Sequence, residues 1–514
     1  MSQYRDTETP LNVTLLGDKV GYRIDSMDKL GQALEDVAKL TSHPTAQDVQ
    51  HLVNELSLAA LFTLLVASSH QESLTESVHT ICRNYLVTLP TSELLRPEFY
   101  HYFLIGLQSN QPAAVHLALD QLSRIDFEDP SNVDSSMATA IAGHLGDESL
   151  NVSQAVANLV KKFFVNAACL SAFLDAPEVV ASLQRLLASP KYKMRVVQVI
   201  FDCLALTTLE SLHCGLLKQA DLISPIFFTH DNDPLLRLNL LETFGQHINA
   251  PVPRSLVNEF RVVEEVAQGL DAFLSSQDLD SVALKGELKF LVDAFLGGFE
   301  IPRLHDTLKS CLISDSLALQ DIGLQVTTLI FDAPVGAKLM RGSAAFLRAV
   351  TQLCAASGQT KVDALACVAT LVGVSVNPDP EITDAAQLAY DLLGESMVLP
   401  QGLVALARNP SSDIKGPAYA LLLHLTYHPF GVKHIINSPP VVSFLLDRGA
   451  DSTMLGQKWK YGVIESLSRR ILTLKDTSGC EDICSPELQR QFSKYVREGV
   501  VYSDSTPSVA LESS

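Results

Sequence analysis

Residues 190–204 read Pro-Lys-Tyr-Lys-Met-Arg-Val-Val-Gln-Val-Ile-Phe-Asp-Cys-Leu, and residues 233–244 read Asp-Pro-Leu-Leu-Arg-Leu-Asn-Leu-Leu-Glu-Thr-Phe. Each stretch opens with a helix breaker, places a basic residue in the first turns (Arg195, Arg237) and continues as an apolar helix. The pattern recurs about eight times, roughly every 35–50 residues, which is the period of armadillo and HEAT repeats. One helix pair cannot bury its own apolar face, whereas a stack of pairs can. The sequence therefore predicts an all-α, armadillo/HEAT-like helical-repeat solenoid.

The other copies of the pattern extend this prediction over most of the chain. They begin near Gln111, Glu148, Leu279, Asp315, Lys361 and Ser412. Shorter apolar helices are expected between them, so each unit has two or three stacked helices. Small residues at helix crossings would let backbones approach closely, and Ala155, Ala157, Gly323, Ala364, Ala366 and Ala418 fit that role.

Domain bounds follow from where the helical pattern begins and ends. Residues 1–25 carry no helical period, and we expect a flexible N-terminal arm. Residues 26–498 are predicted to form the solenoid, with no linker that would split it. Residues 499–514 turn to Ser, Thr, Asp and Pro, and they predict a disordered acidic tail because such a segment lacks the apolar content to fold.

Composition narrows the classes of partner. Apolar residues make up 47% of the 514-residue chain and charged residues 19%, which suits a well-buried interior. The chain has 38 Lys and Arg against 58 Asp and Glu, a formal net charge of −20. Nucleic acid is excluded as the main partner, because neutralising phosphates needs a surplus of cations. The acidic balance either favours a basic protein surface or serves only solubility.

Cellular location is inferred from cysteine usage and from the start of the chain. Nine cysteines are scattered without a disulfide framework, and several lie in apolar helical stretches. The start is polar, and the most apolar segment, Leu56 to Ala67, is too short to cross a bilayer. We expect a soluble cytoplasmic protein, with the nucleus as a second location and no membrane partner.

Two short motifs have the spacing of chemical sites. His424 and His428 are four residues apart on a predicted helix, a spacing that suits a metal, but no carboxylate stands between them. Cys480 and Cys484 form one pair, which cannot fill a tetrahedral zinc site. We interpret the histidines as packing or helix-end residues and the cysteines as ordinary thiols. No phosphate-binding loop or nucleophile motif occurs, and we expect neither an enzyme nor a cofactor or metal.

Acidic residues beside the repeated helices are more informative about function than these two motifs. The inner, concave face of such arrays is their usual binding surface. Four acids are placed on helices expected to line that face and are candidate partner-binding residues: Asp202, Glu242, Asp293 and Glu465. The alternative interpretation of each is a solvated helix face.

The C-terminal region resembles a known family. The segments Asn437-Ser-Pro-Pro-Val-Val-Ser-Phe-Leu-Leu-Asp-Arg448, Lys458-Trp-Lys-Tyr-Gly-Val-Ile-Glu-Ser-Leu467 and Tyr495-Val-Arg-Glu-Gly-Val-Val-Tyr502 are similar to the closing elements of the 26S proteasome non-ATPase regulatory subunit 5 family. The likeness is sharp over residues 405–514 and recognisable over 192–245. The first 25 residues have no obvious counterpart.

This resemblance implies an assembly chaperone of the proteasome regulatory-particle base. Members are armadillo/HEAT-like proteins that hold the C-terminal domain of a proteasomal AAA ATPase subunit and leave before the mature particle is complete. The implied partners are that ATPase domain and base assembly intermediates, and we expect the chain alone to be a monomer. Two alternatives on the same architecture are a transport adaptor and a scaffold protein such as that of a phosphatase. A single tryptophan, Trp459, disfavours an importin-type adaptor.

Overall fold

The recurring pattern forms helices in the computed structural model of the chain. Pro190–Leu204 and Pro234–His247 are each one continuous α-helix that begins at its proline. Proline suits the first helical position because its missing N–H would have no partner there. In the second copy, the Asp233 side chain accepts hydrogen bonds from the backbone N–H groups of Leu235 and Leu236. The breaker that opens each of these copies is therefore a helix start signal.

The structure describes residues 58–67, 72–94, 96–109, 111–125, 134–164, 167–208, 212–227, 233–275, 281–451, 453–478 and 484–500. In the first half of the chain the helices are α1 (Leu58–Ala67), α2 (Glu72–Thr88), α3 (Thr91–Leu94), α4 (Pro97–Gln108), α5 (Pro112–Leu122), α6 (Ser135–His144), α7 (Leu150–Phe163), α8 (Ala167–Leu174), α9 (Pro177–Ala188), α10 (Pro190–Leu204), α11 (His213–Gln219), α12 (Ser224–Phe227), α13 (Pro234–His247) and α14 (Pro251–Glu259).

In the second half they are α15 (Val262–Ser275), α16 (Ser281–Leu296), α17 (Leu304–Leu312), α18 (Leu317–Phe331), α19 (Pro334–Leu339), α20 (Ala344–Leu353), α21 (Gln359–Gly373), α22 (Pro380–Gly394), α23 (Gln401–Ala407), α24 (Ser412–Leu425), α25 (Pro429–Ile436), α26 (Pro439–Leu446), α27 (Met454–Ser478) and α28 (Pro486–Glu498). Every regular element in the described part of the chain is helical, so the all-α prediction is confirmed. The predicted arm and residues 501–514 of the predicted tail lie outside the described residues.

The first of two units comprises Met1–Phe260. Its helices form pairs, in which α4 packs on α5, α6 on α7 and α9 on α10. The first helices of the pairs pack side by side in the order α1, α4, α6, α9 and α12. The second helices do so in the order α2, α5, α7, α10 and α13, a series that we call the first B row. This two-layered stack of helix pairs is the armadillo/HEAT arrangement expected from the sequence period.

The second unit, Arg261–Ser514, repeats this arrangement. Here α17 packs on α18, α20 on α21 and α23 on α24. The second helices stack in the order α16, α18, α21, α24 and α27, which we call the second B row. The unit ends with α28, which packs against α27 and α26.

The repeated basic residue has a structural role. The Arg195 guanidinium on α10 donates a hydrogen bond to the backbone carbonyl of Asp147, in the turn before α7. The Asp147 side chain in turn accepts a hydrogen bond from the Ser149 N–H at 2.8 Å. Arg195 therefore ties one helix pair to the turn of the preceding pair.

Small residues bring helices close together, as predicted for several of the positions above. A Cβ atom at Gly323 on α18 would lie 3.1 Å from the Cβ atom of Cys311 on α17, so this crossing has little room for a side chain. Ala364 on α21 and Ala418 on α24 are fully buried, and these two helices pack directly on each other.

Aromatic rings fill the core at the end of the first unit. The Phe227 ring stacks on Phe260 with centroids 4.2 Å apart and on Phe244 with centroids 5.0 Å apart. The Phe244 ring also contacts Phe201 at 5.0 Å. Burying a phenylalanine side chain contributes roughly 1.5–3 kcal/mol, so this cluster holds α10, α12 and α13 together.

The described helices lack the length and apolarity of membrane spans. The most apolar of them, α1, has 10 residues, whereas a span needs about 20. The longest, α27, has 25 residues but carries many charged side chains. In the part of the chain that the structure describes, no helix is suited to crossing a bilayer.

Candidate partner-binding surface

The four predicted acids all lie on the B rows. Asp202 is on α10 and Glu242 is on α13, which are neighbours in the first B row. Asp293 is on α16 and Glu465 is on α27, at opposite ends of the second B row. All four acids thus lie on helices of the B rows, the structure does not bring Asp293 and Glu465 together, and their place on a concave binding face stays a prediction.

Asp202 is engaged by neighbouring side chains rather than free in solvent. Its carboxylate lies 2.6 Å from Lys161 Nζ on α7 and 3.1 Å from His247 Nε2 on α13. Gln198 Nε2 donates to it at 2.8 Å. Burial by itself would raise the pKa of Asp202, but the hydrogen bonds from Lys161 and Gln198 hold that pKa below its ordinary value. Asp202 therefore joins three consecutive helices of the first B row, and its contact with a partner stays a prediction.

The other three acids differ in exposure. Glu242 is exposed, whereas Asp293 and Glu465 are half-buried. Glu465 Oε1 lies 3.7 Å from Arg469 Nη2 one turn later on α27, a pair with 43% and 72% of the two side chains exposed. Exposed pairs of this kind contribute little to stability, so they leave the carboxylate able to exchange partners. The role of these residues in partner binding stays a prediction.

A groove of about 300 Å³ lies between α7 and α10 on the first B row. Its lining is mixed: Leu150, Ala157 and Met194 supply apolar surface, and Arg195 and Asp202 supply charge. Leu150, in the first turn of α7, is 70% exposed. A groove with an apolar lining and a few fixed charges is suited to a side chain of a partner protein.

Cationic and aromatic groups lie next to Arg195, which lines this groove. The Arg195 guanidinium lies 5.8 Å from the Tyr192 ring centroid, and Lys191 Nζ lies 5.1 Å from the same ring. Lys191 also pairs with Glu148 at 2.9 Å. Tyrosine and arginine are the residue types that most often contribute binding energy at protein interfaces. These residues were recognised in the sequence only as part of the repeated pattern.

His424 and His428 are packing residues, as their surroundings in the sequence suggested. His424 Nδ1 donates to the Ala369 carbonyl at 2.6 Å, and His428 Nε2 donates to the Val372 carbonyl at 2.8 Å. Both rings therefore satisfy carbonyl groups in the last turns of α21. Burial lowers the pKa of both histidines, so both are neutral near neutral pH. In the described ranges, no group of three or more His, Cys, Asp or Glu side chains is arranged to hold a metal ion.

Several described cysteines outside the Cys480–Cys484 pair are buried thiols. Cys82, Cys203, Cys354 and Cys367 are buried, and burial raises the pKa of each thiol to about 12. Such thiols are unreactive because the thiolate is the nucleophilic form. Cys484 is buried too, whereas Cys480 lies outside the described residues.

The family to which the chain belongs is established by comparison with known families. The sequence profile of the family described as "Proteasome non-ATPase 26S subunit" matches residues 18–514. The chain belongs to this family. The match confirms the resemblance found at the C-terminus and extends it over nearly the whole chain, including residues 18–25 of the predicted arm.

This proteasome non-ATPase 26S subunit family is a non-catalytic family of proteasome assembly chaperones. The prediction that the chain is not an enzyme is thereby confirmed. No curated protein matches the chain.

Solved structures are similar to this family member in fold. Kap121p bound to Nup53p matches with a TM-score of 0.51 and 13% identity, over 95% of this chain and 49% of Kap121p. Kap121p bound to Ste12p matches with a TM-score of 0.51 and 14% identity, with the same coverage. The chain thus spans about half the length of these structures. At this identity the likeness concerns the helical-repeat fold alone.

The C-terminal segment that carries the family resemblance encloses a buried charged cluster. Asp451 accepts a hydrogen bond from the Tyr419 hydroxyl at 3.1 Å and pairs with Lys415 at 3.1 Å. Lys460 is 1% exposed, and its ammonium donates to the Asp447 carbonyl. Burial lowers the pKa of Lys460 to about 8. These buried contacts therefore tie α24 to Asp451 and α27 to Asp447, two residues of the turn between α26 and α27.

Arg448 holds the last helix in the same segment. Its guanidinium lies 3.8 Å from the Tyr495 ring centroid and donates to the carbonyls of Tyr495 and Gly499. It also pairs with Glu498 at 3.3 Å. Arg448 satisfies carbonyl groups at the C-terminal end of α28, where a cation is favoured. Arg448 lies in a segment that carries the family resemblance, but its structural role was not predicted from the sequence.

Proposed function

We propose that the chain is an assembly chaperone of the proteasome regulatory-particle base that binds the C-terminal domain of a AAA ATPase subunit. In this proposal the chaperone acts as a monomer in the cytoplasm, with the nucleus as a second location. It leaves before the mature particle is complete. Family membership over residues 18–514 is the observation that carries the proposal.

The first B row offers a surface for such a partner. The groove between α7 and α10 presents an exposed leucine, Leu150, beside the charged Arg195 and Asp202. Interfaces of this kind combine an apolar centre with a polar rim. We propose that a side chain of the ATPase domain enters this groove.

Charge supports the choice of a protein partner. The net charge of −20 attracts a basic surface and speeds its association. The accessible acids Glu242, Asp293 and Glu465 would contribute to this attraction from the B rows. Salt is therefore expected to weaken binding mainly through the association rate.

A pull-down against the C-terminal domain of each proteasomal ATPase tests the proposal. We expect one domain to be retained by the full-length chain in clear preference to the others. Equal retention of all domains, or of none, would contradict the proposal. Co-purification from cells separates the transport-adaptor and phosphatase-scaffold alternatives, because each would bring down a different set of proteins.

Variants of the groove test where the domain binds. Replacing Leu150 by Asp places an unpaired charge at the groove entrance, and we expect the affinity for the ATPase domain to fall about tenfold or more. Leu206→Asp is the matched control, because Leu206 is 88% exposed and lies outside the groove. Equal binding by both variants would place the ATPase domain elsewhere.

A further inference from the structure

A second groove lies on the first B row, between α2 and α5. Its volume is about 850 Å³. One wall is formed by α2 through Glu72, Thr75, Glu76 and His79. Glu72, Glu76 and His79 are four and three residues apart, and Thr75 adjoins Glu76, so the four residues form a single stripe about two helical turns, or roughly 10 Å, long. The groove therefore follows the helix axis rather than enclosing a point.

The opposite wall belongs to α5 and the residue before it. It is formed by Gln111, Ala113, His116 and Asp120. Ala113, His116 and Asp120 are again spaced as one helical stripe. The small Ala113 side chain leaves the groove open between longer polar residues. Both walls thus offer hydrogen-bonding groups along the same direction.

The groove carries a negative charge. Glu72 and Glu76 are exposed, and no lysine or arginine in the described part of the chain forms an ion pair with either. Asp120 is 46% exposed, and its nearest cation, Arg83 Nε, lies 4.0 Å away. Burial, with the nearby Arg83, lowers the pKa of His79, so this histidine is neutral near neutral pH. Glu72 and Glu76 are therefore exposed carboxylates with no cationic partner in the described part of the chain.

The volume of the groove indicates which class of ligand it can hold. A volume of several hundred Å³ accommodates far more than one ion. No cluster of metal-ligating side chains occurs here or elsewhere in the residues described. An elongated, open, acidic groove of this length fits two or more consecutive basic side chains of a polypeptide.

We propose that the groove between α2 and α5 docks a Lys/Arg-bearing segment of a partner protein, with Glu72 and Glu76 pairing with its cations. Asp120 and Gln111 border the same groove and complete its polar lining. The docked segment is defined by its charge and shape, and this assignment stands apart from the proposed function. It does not depend on the partner being a proteasomal ATPase.

The probe is a labelled helical peptide with lysines four residues apart on an alanine background. Its matched control is the same peptide with glutamine in place of each lysine. Binding to the full-length chain is followed by fluorescence anisotropy. We expect the lysine peptide to bind at least about tenfold more tightly, with an affinity that falls as salt rises.

Two double variants distinguish the contribution of the groove to peptide binding from that of the protein's overall charge. Glu72→Gln with Glu76→Gln should weaken lysine-peptide binding about fivefold or more, as expected for the loss of two ion pairs. Asp175→Asn with Glu178→Gln removes the same charge from exposed positions outside the groove and should change binding less than about twofold. Equal weakening by the two double variants would overturn the proposal.

A charge swap supplies an independent test. Glu72→Lys with Glu76→Lys should abolish lysine-peptide binding and create binding of a glutamate peptide of the same length. Failure of the glutamate peptide to bind would contradict the pairing. Spermine, a small polycation, is the competitor: displacement of the lysine peptide at equal concentration would show that the groove selects charge without a polypeptide and would overturn the assignment.

Discussion

Lys161 Nζ lies 2.6 Å from the Asp202 carboxylate, and this ion pair joins α7 to α10 across the groove of the first B row. Asp202 also reaches His247 on the next helix of that row at 3.1 Å. A single carboxylate therefore links three successive repeats. Because each repeat contacts mainly its neighbours, such links contribute directly to the stability of the stack.

Replacing Asp202 by Ala is expected to lower the free energy of unfolding by about 1–3 kcal/mol, because Lys161 and Gln198 then lose a half-buried partner. Far-UV circular dichroism during urea unfolding measures the change. Glu148→Ala is the control. Its pair with Lys191 has 84% and 62% of the side chains exposed and should contribute little to stability. Equal losses in the two variants would show that Asp202 has no special role.

Acidification is expected to destabilise the second unit. In the folded state, burial lowers the pKa of His424 and His428 from its ordinary value of 6.5. As the pH falls below about 6.5, the unfolded chain therefore binds more protons than the folded chain. The free energy of unfolding therefore keeps its highest value above that pH and decreases as the pH falls below it. Fluorescence of Trp459, the single tryptophan, reports urea unfolding of this unit at pH 7.5 and pH 5.5.

A variant isolates the two histidines in this pH dependence. Glutamine at both positions keeps a hydrogen-bond donor but does not titrate, so the loss between pH 7.5 and pH 5.5 should become smaller. Some loss should remain, since burial also lowers the pKa of His305 in the same unit. An unchanged pH dependence would assign the effect to other groups.

Gly373, the last residue of α21, is expected to tolerate no side chain. A Cβ atom there would lie 2.1 Å from His424 Nδ1, so Gly373→Ala must displace the imidazole from the Ala369 carbonyl. We expect a loss of about 1–3 kcal/mol in the free energy of unfolding, measured by Trp459 fluorescence. Gly394→Ala is the matched control, since Gly394 also ends a helix and has no atom within 4 Å of such a Cβ. A neutral Gly373→Ala would contradict the close packing.

The sequence period predicted the helices and their pairing because one apolar face per helix is enough to define a stack. It also pointed to Arg195, whose partner lies in the preceding repeat. The neighbours of Asp202 were not predictable in the same way. They come from helices one repeat before and one repeat after it, and the rotation of each helix in the stack decides which side chains meet.

The histidine pair illustrates a second limit of the sequence. The spacing of His424 and His428 is compatible with a metal site, and the lack of a carboxylate between them argued against one. Their real partners are backbone carbonyls of another helix, which have no signature in the sequence. The groove between α2 and α5 was missed as well, although Glu72, Glu76 and His79 already had the spacing of one helical stripe.

Arg448 is expected to control the stability of α28. Replacing it by Ala removes its stacking on the Tyr495 ring and its hydrogen bonds to the carbonyls of Tyr495 and Gly499. We expect α28 amides to exchange with solvent roughly tenfold or more faster, a loss of about 1.5 kcal/mol or more in local stability. Hydrogen exchange with mass spectrometry measures this. Arg490→Ala should leave exchange unchanged, because Arg490 is exposed, and equal effects of both variants would refute the role of Arg448.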